Sequence, residues 1–249
     1  MITVGLLYPG HSAEDDFAVA ETRLAGAVRL PLVHTEMASD AHRPDELRAW
    51  GSADALAAGA RELESYDPDA IVWTCTSGSF VFGWDGARRQ ADQLAERCGR
   101  PVSSTSLAFA RAAGSLGVRR VAVAASYPDD VARLFVDFLA QAGISASGFG
   151  ASDILYASDV GRLTPDQVIE LVTAVDVADA DAVLVPDTAM HTLGVIDDLE
   201  RLVGRPVLTA NQVSVWEGLR LAGDLPSTPG LGRLFRSTGA PETAVPVVG

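Results

Sequence analysis

The sequence predicts an α/β protein of two pseudo-symmetric half-domains, each a parallel sheet with flanking helices, with the active site in the cleft between them. The first observation behind this is alternation: short β-branched runs exchange with longer helical stretches, as in parallel strands joined by right-handed helical crossovers. The second is duplication. Asp69-Ala70-Ile71-Val72-Trp73-Thr74-Cys75-Thr76 is followed by Gly99-Arg100-Pro101-Val102, and Asp181-Ala182-Val183-Leu184-Val185-Pro186-Asp187-Thr188 by Gly204-Arg205-Pro206-Val207. The third is an echo between residues 2–9 and 121–128, both apolar, both ending in Tyr-Pro and both followed by acidic residues. Internal repetition means repeated supersecondary units, and strand ends of open α/β sheets are where ligands bind.

Strands are expected in order at 3–8, 30–35, 70–74, 101–104, 120–125, 182–185 and 206–209, with the glycine-rich stretch 143–150 leading another. Pro44 opens a helix whose apolar Leu56, Ala60 and Leu63 recur at helical spacing until the Asp67-Pro68 break. Ala87, Ala91, Leu94 and Cys98 fall at i, i+4, i+7 and i+11, which puts Cys98 on the buried face of its own helix. Thr164-Pro165-Asp166-Gln167 reads as N-cap, first-turn proline and capping-box glutamine, ahead of the apolar face Val168, Leu171, Val172 and Val175. The second half starts near Val118. A last helix at 213–223 is expected to cross back to the first half, so that residues 1–117 plus 210–249 form one half-domain and 118–209 the other. The Pro- and Gly-rich tail from Leu225 reads as extended packing or a flexible end.

Composition narrows the chemistry. With 249 residues, 48% of them hydrophobic, the chain is long enough for one large core or two modest ones. Its net charge of -14 disfavours nucleic acid and anionic membranes as partners, and an anionic substrate needs a local hydrogen-bonding pocket. All 19 cationic side chains are Arg, and without Lys there can be no Schiff-base aldolase, lysine-anchored pyridoxal phosphate or Walker-type phosphate loop. The N-terminus lacks the basic start and cleavage site of a signal peptide, and no apolar run reaches membrane-spanning length, so a cytoplasmic protein is expected. Cys75 and Cys98 form neither a metal cluster nor a disulfide framework.

Cys75 sits where a strand ends, within Thr74-Cys75-Thr76-Ser77-Gly78-Ser79. Backbone amides at the start of the next segment can bind a carboxylate and lower a nearby thiol's pKa toward the reactive thiolate. Superposing the repeats matches Cys75 with Asp187, which is followed by Thr188 and Met190-His191-Thr192. Two reactive groups so related can approach one small molecule from opposite sides; an N-cap carboxylate accounts for Asp187 equally well. A carboxylate there raises the thiol pKa unless it accepts the thiol's proton. Tyr127 and its counterpart Tyr8 can donate into the cleft or simply end a strand. Ser12 and His11 occupy a loop beside that of Cys75. His34 ends a strand and His42 lies in a polar loop; with no two histidines at ligand-like spacing, no metal site is expected. Asn211 and Gln212 can bind a carboxylate or amide, or cap a turn.

Together these residues resemble the Asp/Glu racemase superfamily, and within it the maleate isomerase and arylmalonate decarboxylase branch. Gly5-Leu6-Leu7-Tyr8-Pro9 looks like the opening strand and proline loop, Cys75-Thr76-Ser77 like the first catalytic loop, Tyr127-Pro128 like the central tyrosine, and residues 187–193 like the second catalytic loop. The resemblance covers essentially the whole chain. It implies a cofactor-independent enzyme, a small carboxylate substrate and a homodimer. Cys75 and Asp187 would be catalytic, with Ser12, Thr76, Ser77, Tyr127, Thr188, His191 and Asn211 around the substrate. Racemases and maleate isomerases of the superfamily carry a cysteine in each loop, whereas the decarboxylases keep only the second-loop one. Asp187 in place of that second cysteine disfavours a decarboxylase mechanism and two-thiol racemisation. The resulting expectation is a maleate cis-trans isomerase-like reaction in which the Cys75 thiolate adds to an alkene. A racemase or decarboxylase using Cys75 and Asp187 as acid and base is the alternative, and a non-catalytic carboxylate-binding protein is a rival of another class.

Overall fold

The computed structural model describes residues 1–236; the tail expectation beyond them lies outside the described residues. The order of elements is β1 (Ile2–Pro9), α1 (Asp16–Arg23), β2 (Val28–Arg29), β3 (Leu32–Thr35), α2 (Pro44–Trp50), α3 (Ala53–Leu63), β4 (Ala70–Trp73), α4 (Ser77–Phe80), α5 (Gly83–Cys98), β5 (Val102–Ser104) and α6 (Thr105–Ser115). There follow β6 (Arg120–Ala125), α7 (Asp129–Gln141), β7 (Ser145–Ala151), α8 (Ala157–Val160), α9 (Pro165–Thr173), β8 (Ala182–Val185), α10 (Ile196–Val203), β9 (Val207–Thr209) and α11 (Ala210–Ala222). Strands β1 to β5 build one sheet in the order β2-β1-β4-β5, with β3 also on β1, and β6 to β9 build another in the order β7-β6-β8-β9. Every pairing is parallel. The strand orders are equivalent, β1 to β6, β4 to β8 and β5 to β9, so Cys75 and Asp187 each lie two residues beyond matching central strands.

Departures from the expected elements have local causes. The strand expected at 30–35 is interrupted into β2 and β3 around Pro31, which has no N–H to give a neighbouring strand and instead accepts from Leu6 through its carbonyl, 2.8 Å away. The helix opened by Pro44 stops at Gly51, and Ser52 caps a new one by accepting from the Ala55 amide. Cys98 is only half-buried at the end of the Ala87, Ala91 and Leu94 stripe. The capping box at Thr164 forms as read, and an unforeseen second one at Thr209 and Gln212 opens α11.

One core cluster runs through both halves, and a second, with Val168, Val172, Val183 and Leu199, lies within the second half. Phe80 on α4 packs against Tyr127 and Phe135 of the second half at ring separations of 5.8 and 5.5 Å, and Trp84 meets Phe138 at 5.3 Å. Helix α11 returns over β1 and β4 and beside α6. It approaches so closely that a Cβ on Gly218 would lie 2.3 Å from a Val4 methyl. Polar ties also cross the seam, two of them through Asp16 and through residues 36–43. The buried Asp16 carboxylate accepts from the Thr192 and Leu193 amides and from Asn211 Nδ2. A strap of residues 36–43 leaves β3 and reaches the second half, where the His42 amide donates to Leu155 O at 2.7 Å and the Ala157 amide to Asp40 O at 3.0 Å.

Candidate active site

The first loop turns sharply after β4. Thr74 donates through both its amide and its hydroxyl to Leu7 O, anchoring the loop to β1. The next residue, Cys75, is 2% exposed. Its Sγ accepts from the Gly78 amide at 3.2 Å and lies 3.8 Å from Ser77 Oγ. A side chain on Gly78 would crowd that sulfur, with its Cβ only 3.1 Å away. Burial pushes the Cys75 thiol up to about 12; the Asp187 charge adds to the rise, while the Gly78 and Ser77 hydrogen bonds oppose it. Thr76 is fully buried, its hydroxyl beside the Tyr127 phenol but in no well-formed hydrogen bond. An unpaired buried hydroxyl is costly, and a ligand carboxylate is a natural acceptor for it.

From the second half come Asp187 and the residues that hold it. Asp187 is 3% exposed. One carboxylate oxygen accepts from the Ala189 amide at 2.9 Å, the other from the hydroxyl of Ser126. His42 Nε2, on the strap from the first half, stands 3.9 Å from that second oxygen. Tyr127 OH donates to Pro186 O, and Tyr8 OH donates to Thr188 O at 2.9 Å while accepting from the Ala13 amide at 3.0 Å. Burial raises both phenols well above their usual range, and the charges of Asp187 and Cys75 reinforce the shift in each. The four groups therefore share one electrostatic environment, and both phenols stay protonated donors at neutral pH.

The structure thus gathers Cys75, Thr76, Ser77, Tyr127 and Asp187. Other expected site residues are engaged elsewhere. Thr188 contributes its backbone carbonyl to Tyr8. His191 Nε2 pairs with Asp15 Oδ1 at 2.7 Å, on the outer side of the loop. Asn211 gives its amide to Asp16 and to Met190 O, so it ties the second loop to α1. Ser12 is half-buried against Gly161, and its amide donates to Glu14 Oε2 at 2.7 Å. Wide sequence spacing did not keep the histidines apart: His11, Glu14 and His34 meet at the rim, with one potential ligand atom from each within 4.8 Å of the others. Two of those groups are spent on one another, the His11 ring lying 3.8 Å from that of His34 and its Nδ1 2.9 Å from Glu14 Oε1.

Sequence reasoning missed His42 and Ser126. Ser126 was findable, because it precedes Tyr127 at the end of a strand equivalent to β1. His42 was not, because a polar loop carries no periodic signal and its burial is created by the partner half. The site is closed over, and a surface cavity of about 330 Å³ lined by Arg48, Phe82, Arg89, Gln93 and Arg97 belongs to the outer faces of α3 and α5 instead.

The chain that builds this two-sided site has parallels among known proteins in sequence and fold. The family model for arylmalonate decarboxylase matches residues 50–235. The chain is 32% identical to the arylmalonate decarboxylase of Bordetella bronchiseptica over 179 residues, which cover 71% of this chain and 75% of that one. It is 27% identical to the maleate isomerase of Nocardia farcinica over 186 residues, 72% and 74% of the two chains. Among solved structures, a liganded double mutant of arylmalonate decarboxylase superposes with a TM-score of 0.83 at 27% identity, covering 95% of this chain and 99% of the other. A mutant of the Nocardia farcinica maleate cis-trans isomerase carrying a covalently bound succinylcysteine intermediate shares the fold, with a TM-score of 0.85 at 23% identity over 94% and 98% of the chains. The chain belongs to the arylmalonate decarboxylase family.

Proposed function

We propose that the protein is a cofactor-independent isomerase of a small unsaturated dicarboxylate, acting on maleate or a close relative through Cys75. The observation that carries this reading is the surrounding of the thiol. Cys75 stands at a strand end with the hydroxyls of Thr76 and Ser77 and the phenol of Tyr127 beside it, and a buried carboxylate comes from the opposite half. Cys75 passes its proton to Asp187, and the thiolate then forms a C–S bond to one alkene carbon. The π electron pair moves onto the neighbouring carbon and its carboxylate. Hydrogen bonds from Thr76 and Ser77, and from Tyr127 once its proton turns away from Pro186 O, hold the carboxylate as it gains charge, an electrostatic contribution of about 3 kcal/mol for each well-aimed donor. Rotation about the new single bond, re-formation of the alkene and expulsion of the thiolate give the trans isomer, and the proton returns from Asp187 to sulfur.

The covalent succinylcysteine found in the Nocardia farcinica isomerase supports such an adduct as chemistry that this fold accommodates. Incubation with maleate followed by ¹H NMR is expected to show fumarate, and Cys75→Ala to form none; full conversion by Cys75→Ala overturns the role of the thiol. The 32% identity to an arylmalonate decarboxylase favours a second reading, loss of CO₂ from a substituted malonate with the carbanion protonated across the same cleft. CO₂ release from an arylmalonate, with solvent deuterium at the product α-carbon and no fumarate from maleate, would select it. Both readings keep a small carboxylate in a site without Lys. A cytoplasmic homodimer remains part of the proposal, tested by sedimentation of the purified protein and fractionation of the source cells.

A further inference from the structure

The family resemblance places a neutral cysteine in the second catalytic loop, whereas this chain places a carboxylate there. A dicarboxylate entering a closed site that already contains a buried anion meets repulsion from Asp187, and no Arg pairs with Asp187 among the described residues. Relief is available from one side chain. His42 is 3% exposed, with Nε2 3.9 Å from Asp187 Oδ2 and Nδ1 3.4 Å from Ile154 O. Nδ1 is therefore within hydrogen-bond distance of a carbonyl, and Nε2 within ion-pair range of the carboxylate. A neutral imidazole has only one N–H and would set its other lone pair against an oxygen. The arrangement is satisfied when the histidine and the aspartate together hold one proton more than a neutral imidazole beside a carboxylate.

We infer that His42 is a positioning residue that holds Asp187 as an imidazolium–carboxylate pair across the two halves, making the second catalytic loop a charge-neutral proton-handling unit that admits a dianionic substrate. This rests on the isomerase reading for the identity of the substrate, but not for the state of the pair. The surroundings favour that state. Ser126 and the Ala189 amide donate to the carboxylate. The ring itself packs edge-on to Tyr127 at 4.8 Å and to Trp50 at 6.0 Å. Other titratable groups facing it are Tyr127, which stays neutral, and Asp40 of the same strap, which hydrogen bonds from Ser158 keep ionised. When Cys75 surrenders its proton to Asp187, the total charge of the site is unchanged. The pair then carries the positive charge of the imidazolium against the negative charge left on the thiolate.

The test begins with protonation rather than turnover. With ¹⁵N-histidine in the full chain at pH 7, and the four histidines assigned by single His→Gln substitutions, His42 is expected to show both ring nitrogens protonated. In Asp187→Asn it should become a neutral ring with one tautomer. A neutral His42 in the unsubstituted protein, or one that is insensitive to Asp187→Asn, overturns the inference whether or not maleate is a substrate. On a dicarboxylate that is turned over, His42→Gln is expected to lower kcat/KM roughly 100-fold, chiefly through KM, and to remove the alkaline limb of its pH profile. Equal kinetic losses with an unchanged pH profile would mean that His42 only packs. Should His42→Gln fail to fold, His42→Asn and the Asp187→Asn spectrum still decide.

Discussion

Cys75 shows how burial and function pull against each other at a single atom. Its thiol is held up at about 12 chiefly by desolvation, whereas in an unfolded chain it titrates near 9.0. Between those values the folded protein retains a proton that the unfolded chain has released. The stabilisation is complete below pH 9 and declines as pH rises toward 12, by about 1.4 kcal/mol per pH unit. Urea unfolding at pH 8, 9 and 10 should therefore show a decline that is shallower in Cys75→Ser; parallel declines would mean that the thiol is already ionised in the native site. Tyr8 and Tyr127, raised for the same reason, add a decline of the same sign only above pH 10, so the first unit isolates the thiol. Cys75 and Asp187 were legible in the sequence because the repeat pairs them. His42 acquires its meaning from Asp187 and Ile154, which are more than a hundred residues away in the chain, and local residue patterns carry no trace of such contacts.

At the scale of elements, strands were the most legible part of the fold. The runs 120–125 and 182–185 match β6 and β8 residue for residue, since fully buried parallel strands must be continuously apolar. The strap at 36–43 was invisible for the opposite reason: its order comes from backbone pairing with residues 154–158, which any polar sequence can supply. With Cys75 and Asp187 both buried beneath the closed halves, substrate entry requires local opening, and the strap that carries His42 is the segment whose hold on the second half is mostly backbone hydrogen bonds. Beside the contacts of the His42 side chain, Asp40 supplies a second side-chain tie, its Oδ2 accepting from the Ser158 amide at 3.0 Å. Asp40→Ala should speed hydrogen exchange at Ser158 and Ala157 about tenfold, the loss expected for one charge-assisted hydrogen bond, while amides of β6 and β8 keep their protection. Unchanged exchange at Ser158 would mean that the strap does not open separately from the rest of the second half.

Across the whole molecule, the duplication supplies two equivalent sheets, but non-equivalent crossings join them, among them the strap, the Asp16 staple and α11. Of these, only α11 was foreseen, because its apolar sequence follows a repeat unit that was already complete. Its docking is polar as well as apolar. Glu217 is wholly buried between α11 and α6, where it meets the guanidinium of Arg111, itself bonded to Ser103 Oγ at 2.8 Å, and that of Arg220 at 2.7 Å. Removing the carboxylate leaves two half-buried cations facing each other across a helix interface, and loss of one partner from such a cluster costs about 3 kcal/mol. Glu217→Ala is accordingly expected to lower stability by about that amount in urea titration. Arg162→Ala, which breaks the exposed i,i+3 pair with Asp159, should change it by less than about 0.5 kcal/mol. Because the larger of the two core clusters runs through both halves, the Glu217→Ala loss should appear as a single shifted transition in fluorescence and circular dichroism together. If the two probes separated, α11 would be holding only the first half, and each half would fold by itself.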